Sequence, residues 1–293
     1  LHSYKDFPLR VGELGLVHRH EASGALNGLF RVRAFTQDDA HLYMTQDQIE
    51  DEIVRMIALF DRFYKLFGLP YTIELSTRPL EKYIGSIEVW NQSEAALEKA
   101  VKKAGKEIKI NPGDGAFYGP KLDFHLQDSI GRQWQCGTIQ LDMNLPERFD
   151  MTYIAADGSK QRPVMLHRVV FGSVERFIGI LIEHFAGAFP LWLSPKQVVI
   201  LPVNAEFHNE YAHKLLDQLL ALGFRASLDD RNEKLGYRLR EAQLKKIPYQ
   251  LVVGDGEIES NSVNVRKYGQ KDSSTLKVEE LLDLLTTEVK EKK

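Results

Sequence analysis

A single cysteine, Cys136, stands in 293 residues. The chain therefore has no intramolecular disulfide framework, and its composition suits a reducing compartment. No apolar run reads as a membrane span. The most apolar stretch, FIGILIEHFAGAFPLWL (177–193), is interrupted by Glu183, His184 and Pro190. Excess positive charge is also missing: Lys+Arg 38 against Asp+Glu 41 leaves a net charge of −3. That excludes non-specific wrapping of nucleic acid by the whole body and leaves only local patches available. There is no internal repeat, and no low-complexity tract beyond the terminal EKK. The glycine-rich stretch NPGDGAFYGPK (111–121) is neither a Walker loop nor a dinucleotide fingerprint, because no helix follows it and Pro120 disfavours one. The first residues, LHSYKDFPLR, do not read as a signal peptide. They lack an initiator Met and a clear element boundary, which reads as a fragment of something longer.

What is present is an ordinary globular composition, 43% hydrophobic and 27% charged, long enough for about two domains with real cores. The clearest boundary is Leu193-Ser194-Pro195, where a long apolar helix pattern ends, giving domains over 1–193 and 194–293. After it, QVVILPV (197–203) reads as a strand buried on both faces. A helix over 206–222 stops at Gly223. A strand at 224–228, a helix over 234–246, strands at 249–254 and 262–267 and a terminal helix over 277–289 follow. This rhythm predicts a small α/β domain. Before the boundary, an alternating strand at 30–43, an amphipathic helix over 48–67 and strands at 122–126 and 133–141 predict an α+β domain built on an antiparallel sheet.

Period-two alternation along 30–43 puts Arg31, Arg33, Phe35, Gln37, Asp39 and His41 on one face. Such a face differs from the Lys, Glu and Thr of a solvated surface, although a strand wetted on one side remains the plain alternative. Just ahead, HRHEASG (18–24) sets Arg19 and Glu21 beside turn residues, where Arg suits phosphate or carboxylate; a surface hairpin with a salt bridge is the alternative. In HRVVFGSVERFIG (167–179), Ser173 reads as an N-cap. Arg176 then falls in the first helical turn, where a cation opposes the dipole unless an anion is near. His41 and His167 lie beside these clusters, and a structural histidine is the plainer reading of each. Gln135 and Gln140 have opposite parity on one strand, so only a bulge, at Gly137, would bring both to one face.

These segments together resemble class II aminoacyl-tRNA synthetases of the threonyl type. HRHE with GLFRVRAFTQDDAH is similar to their motif 2, and FGSVERFIG to their motif 3. GAFYGPK, QCGTIQLD and PVMLHR are similar to threonyl-type segments, and DDRNEKLGYRLREAQLKKIPY with LVVGDGE to their anticodon-binding domain. The resemblance covers essentially the whole chain and implies an α+β class II catalytic domain, incomplete at its N-terminus, followed by an α/β anticodon-binding domain. It implies threonine activation with ATP and Mg²⁺ and transfer to tRNA(Thr), in a cytoplasmic homodimer with no membrane role. Arg19, Lys121 and Arg176 would be catalytic. Arg19 and Arg176 would grip the ATP phosphates, with Glu21 on the adenine amine, Phe35 stacked on the base, Arg31 on the triphosphate and Gln135 at the pocket edge. Gln37, Asp39, Tyr118 and Gln140 would surround threonine. His41 and His167 would bind Zn²⁺, whose third ligand is expected from a cysteine upstream, not from Cys136. Such a zinc ion would select threonine over isosteric valine by binding its hydroxyl. Asn232, Glu257 and Arg266 would read the anticodon. A basic stripe over 231–246 (Arg231, Lys234, Arg238, Arg240, Lys245, Lys246 against Glu233 and Glu241) could steer phosphates. A prolyl-type enzyme of the same architecture and a non-catalytic nucleic-acid-binding accessory protein are the alternatives. The FTQDDAH and PVMLHR segments argue against the first, and retention of Arg19, Phe35 and Arg176 against the second.

Overall fold

Two long hairpins and their cross-connections organise the first part of the chain in the computed structural model, which describes residues 2–293. Strands β1 (Leu9–His18) and β2 (Ala34–Met44) pair antiparallel over their full length. Helix α1 (Ile49–Leu66), β3 (Tyr71–Ser76), α2 (Ile87–Lys103), β4 (Lys109–Asn111), β5 (Lys121–Gln127), β6 (Gln133–Asp142), β7 (Val164–Val169) and α3 (Val174–His184) follow. The seven strands form one sheet in the order β1-β2-β7-β6-β5-β3-β4, antiparallel except for β3 with β4. Short extended pieces at His2–Ser3, Tyr153–Ile154 and Lys160–Gln161 make a separate small sheet.

One face of the seven-stranded sheet is apolar. Leu122, Phe124, Leu126, Ile139, Leu141 and Leu166 are fully buried there, each worth roughly 1.5–3 kcal/mol of transfer free energy. Helix α1 covers this face with Ile53, Ile57, Phe60 and Tyr64, the apolar stripe expected from the sequence, and the Phe60 ring packs tilted on that of Phe124 with centroids 4.2 Å apart. The opposite, polar face carries the chemistry described below. Asp61 closes the exposed side of α1 against Lys106, Lys65 and the Tyr71 hydroxyl. Lys106 first, then Lys65, hold its carboxyl well below the usual carboxylate range. A carboxylate lowered on folding contributes stability that is full above its unfolded pKa, about 4, and is lost as pH falls through the folded value. Asp61→Asn should therefore lower Tm at neutral pH. Its deficit against the parent should narrow progressively, without closing, in thermal melts run from about pH 5 down to about pH 2.

Three expectations need correction. The strand expected over 30–43 begins only at Ala34, because residues 27–31 form a turn closed by an Asn27–Arg31 bridge. Arg31 and Arg33 thus belong to a loop and owe their positions to it, not to strand alternation. The apolar helical pattern reaching toward 193 stops at His184, where Ala186 and Gly187 take positive φ and Pro190 follows. The bulge in β6 falls one residue from Gly137: Phe124 faces Gly137 and His125 faces Gln135, leaving Cys136 as the extra residue.

The chain divides into compact units over Leu1–His184 and Phe185–Lys293. The second holds β8 (Val198–Pro202), α4 (Ala205–Ala221), β9 (Ala226–Leu228), α5 (Leu235–Leu244), β10 (Tyr249–Val253), α6 (Asp255–Glu259), β11 (Ser262–Lys267), β12 (Ser273–Lys277) and α7 (Val278–Glu291). Its five strands run β9-β8-β10-β11-β12, parallel among the first three and antiparallel thereafter. β8 is buried at every position, as its unbroken apolar run implies. Strand β12 and helix α6 have no counterpart in the sequence reading.

Candidate functional site

The loop between β1 and β2 and the turn before α3 meet over the polar face of the first sheet. Both are tied down. Arg33 donates from Nε to the Glu21 carbonyl (3.0 Å), and the Arg19 amide donates to the Arg33 carbonyl (2.8 Å). Arg33, for which sequence offers no role, thus fixes the loop carrying Arg19 and Glu21. The turn before α3 is held by Asp38, whose carboxylate accepts from the Val170 and Phe171 amides (2.8 and 2.9 Å) and from Arg168 (3.1 Å). Burial pushes the Asp38 carboxyl above its usual range, while those donors act in the opposite sense. The Ser173 hydroxyl accepts from the Arg176 amide (3.2 Å), the expected N-cap, and the Glu175 carboxylate accepts from the Thr36 amide.

The result is a cavity of about 290 Å³ lined by Arg19, Glu21, Arg31, Phe35, Gln37, Gln135, Gln140 and Arg176, among others. Eight residues singled out from the sequence converge here from four separate segments. Arg176 donates from Nε to the Phe30 carbonyl (2.8 Å) and from one terminal nitrogen to the Gln135 carbonyl (3.1 Å). The Arg19 guanidinium lies 5.1 Å from the Phe35 ring centroid. Among the described residues neither arginine has a carboxylate partner, whereas Arg10, Arg132, Arg162, Arg168 and Arg231 all do. Two unneutralised guanidinium groups facing one cavity make a site for a polyanion. Arg31 approaches Glu21 at 3.8 Å.

The remaining first-domain candidates follow from strand register. His41, His167, Gln140, Lys121 and Ser76 sit directly opposite one another on β2, β7, β6, β5 and β3, so their side chains share the polar face. The Tyr118 hydroxyl donates to the Gln140 side-chain oxygen. Burial first, then Asp142 and Asp39, push the Tyr118 phenol up to about 12, which keeps it a neutral donor. Asp39 lies on the same face, two residues before His41, and comes within 3.8 Å of the His41 Nε2. Asp142, fully buried, meets the His167 Nε2 at 2.9 Å and accepts from the Asn144 and Leu145 amides. Cys136 also lines the cavity, but burial pushes its thiol up to about 12. It should resist thiol-reactive disulfide reagents at pH 8 until the protein unfolds.

The donor set does not amount to a zinc site. The His41 and His167 rings lie 4.9 Å apart, near enough to share an ion. However, no third His, Cys, Asp or Glu among the described residues completes a group with them, and zinc sites take at least three protein ligands.

In the second unit Asn232 is exposed before α5 and Glu257 sits in α6 beyond the end of β10. Arg266 pairs with Gln250 near the start of β10. No hydrogen bond or ion pair joins these three. The basic stripe is thinner than its sequence: Arg231 is tied to Asp229 and Glu241, and Lys246 donates to the Ala186 carbonyl. Arg238 is buried and donates to the Asp229, Glu233 and Pro202 carbonyls. Lys234, Arg240 and Lys245 remain exposed. No helix among the described residues is long and apolar enough to cross a membrane.

Comparison with known proteins identifies the family. Residues 1–185 match the class II core domain of tRNA synthetases (G, H, P, S and T), and residues 197–288 match an anticodon-binding domain. A threonine–tRNA ligase of Fusobacterium nucleatum is 61% identical over 290 residues, which cover 98% of this chain and 46% of that protein. One from Carboxydothermus hydrogenoformans is 59% identical over 293 residues, again 46% of its length. The chain thus spans about half the length of these curated relatives. Among solved structures, the RNA-binding domain of threonyl-tRNA synthetase from Cryptosporidium parvum superposes with a TM-score of 0.94 at 40% identity, covering 98% of this chain and 72% of that one. A putative threonyl-tRNA synthetase from Aeropyrum pernix gives 0.81 at 29% identity, covering 98% and 70%.

Proposed function

The chain belongs to the class II tRNA synthetase family, and on that premise we propose that it carries the activating and anticodon-reading parts of a threonine–tRNA ligase. The observation that carries this reading is the cavity in which Arg19 and Arg176, neither with a carboxylate partner among the described residues, face Phe35, Gln37 and Gln140.

In the proposed reaction a threonine carboxylate oxygen attacks the α-phosphorus of ATP, the bond to the β-phosphate oxygen breaks, and pyrophosphate leaves. A ribose hydroxyl of the terminal tRNA adenosine then attacks the carbonyl carbon of threonyl-adenylate and AMP departs. The first step needs alignment and charge neutralisation more than a strong base. Arg19 and Arg176 neutralise the phosphates, Lys121 adds a third cation at the edge, and Mg²⁺ enters with ATP as part of the substrate. Glu21 and Phe35 hold adenine. Gln37, Asp39, Tyr118 and Gln140 orient threonine, the carboxylate of Asp39 suiting its ammonium group. His41 and His167 stand at the threonine end as two of the donors a zinc ion would need. The second unit binds tRNA(Thr) through Asn232, Glu257 and Arg266. We place the work in the cytoplasm. A homodimer is also part of the reading, supported by Leu14 and Leu16 standing 75% and 68% exposed on the edge strand β1.

Amino-acid-dependent ATP–pyrophosphate exchange run with threonine, proline and serine tests the reading. Exchange with threonine well above the other two is expected, and exchange with proline alone would reassign the substrate. Arg266→Ala should weaken tRNA charging about tenfold or more and leave threonine-dependent exchange intact, because exchange needs no tRNA. Equal loss of both would make Arg266 structural.

A further inference from the structure

Asp123 has no part in the reading above, yet it joins two of the groups that reading uses. It is 1% exposed, alone among apolar neighbours in the run LDF (122–124). Its Oδ2 accepts from the Lys121 ammonium (2.7 Å) and the Ser76 hydroxyl (2.6 Å), and its Oδ1 accepts from the Gln135 side-chain amide (2.6 Å). The three donors come from β5, β3 and β6. Gln135 reaches it only because the extra residue Cys136 returns Gln135 to the polar face.

A second carboxylate competes for the lysine. Asp114 lies 3.4 Å from the Lys121 Nζ, but its side chain is 60% exposed, while that of Asp123 is 2% exposed. Lysine is a point charge on a flexible stem, so the stronger and better shielded partner decides where the charge sits. We propose that Asp123 is a positioning residue, a buried carboxylate that holds the Lys121 ammonium inward against the pull of Asp114 and locks Gln135 at the cavity edge. This role rests on the proposed threonine activation for its kinetic consequence, but not for its structural one. With Asp123 neutralised, Lys121 turns outward to Asp114 and the nucleotide loses a pre-placed cation.

Two substitutions separate positioning from packing. Asp123→Asn keeps the shape and removes the charge, whereas Asp123→Glu keeps the charge and overfills the space. Positioning predicts that D123N lowers kcat for threonine-dependent exchange roughly tenfold or more, with KM for threonine within about twofold, and that D123E retains more activity than D123N. It also predicts that D123N and Lys121→Ala combine to less than the product of their separate losses, because they share the lysine contact. The reverse order of D123N and D123E, or additive losses, overturns the proposal. A measurement that needs no variant and no activity is ¹⁵N-lysine NMR of the unsubstituted chain. The Lys121 ammonium should give a resolved signal with slow proton exchange, and fast exchange like that of exposed lysines overturns the positioning. If the parent exchanges pyrophosphate with no amino acid, the proposed function fails while the NMR result still decides the role of Asp123.

Discussion

Replacing Arg176 by alanine should slow threonine-dependent ATP–pyrophosphate exchange by about 100-fold or more. Two of its N–H groups are already committed, to the Phe30 and Gln135 carbonyls. Those contacts fix the plane of the guanidinium and leave its remaining donors toward the cavity. It sits in the first turn of α3, where the helix dipole disfavours a cation, and no carboxylate among the described residues offsets that cost. A bound polyphosphate would, and more so as charge builds on the leaving pyrophosphate. The loss should therefore appear mainly in kcat, and Arg176→Lys should recover little of it, since an ammonium cannot span two carbonyls and a phosphate in one plane. Near-normal exchange by the alanine variant would remove Arg176 from the mechanism.

Gly137→Ala should be among the most damaging single-methyl changes in the first domain. A Cβ at Gly137 would lie 2.3 Å from a Phe60 ring carbon and 2.4 Å from the Tyr64 hydroxyl oxygen. Both side chains are fully buried, and the Tyr64 hydroxyl is committed to the Val170 carbonyl at 2.6 Å. Relief requires α1 to lift from the sheet or the turn before α3 to move, so the change reaches stability and site together. An overpacking cost of about 3 kcal/mol or more is expected, which in a domain of this size lowers Tm by roughly 10 °C. Gly236→Ala is the control. Nothing lies within 4 Å of its Cβ and it sits in helix α5, so its Tm should hold or rise slightly. A Gly137 variant melting with the parent would show that α1 packs more loosely than these distances say.

Much of this was legible beforehand where periodicity and burial agree. Ile49, Ile53, Ile57, Phe60 and Tyr64 announce α1, and the continuous apolar run of β8 announces a strand covered on both sides. Alternation from Phe35 to His41 places Phe35 and the polar Gln37, Asp39 and His41 on one face. It failed at Arg31 and Arg33 because a turn at 27–31 resets the count, and a turn is not visible to a period-two pattern. Strand β1 was missed because Gly12 and Gly15 break its alternation and its partner, not its own residues, makes it a strand. Of the supporting carboxylates, Asp123 and Asp142 carry a faint signal, a lone acid between apolar residues, whereas Asp38, beside Gln37 and Asp39, carries none. What each one holds depends on register, and register is set between strands distant in sequence.

The five-strand row from His41 to Ser76 also acts as a ruler. Neighbouring strands are spaced at about 4.8 Å by backbone hydrogen bonds, so its ends lie roughly 19 Å apart whatever the side chains do. The separation between the histidine pair at one end and Lys121 near the other is thus a property of peptide geometry and is stiff against thermal motion. Altered amino-acid preference should accordingly be reachable by exchanging side chains at fixed rungs such as Gln140. Adding or deleting one residue ahead of a rung would turn that strand's later residues, its rung included, to the apolar side against α1 and leave a gap in the ruler.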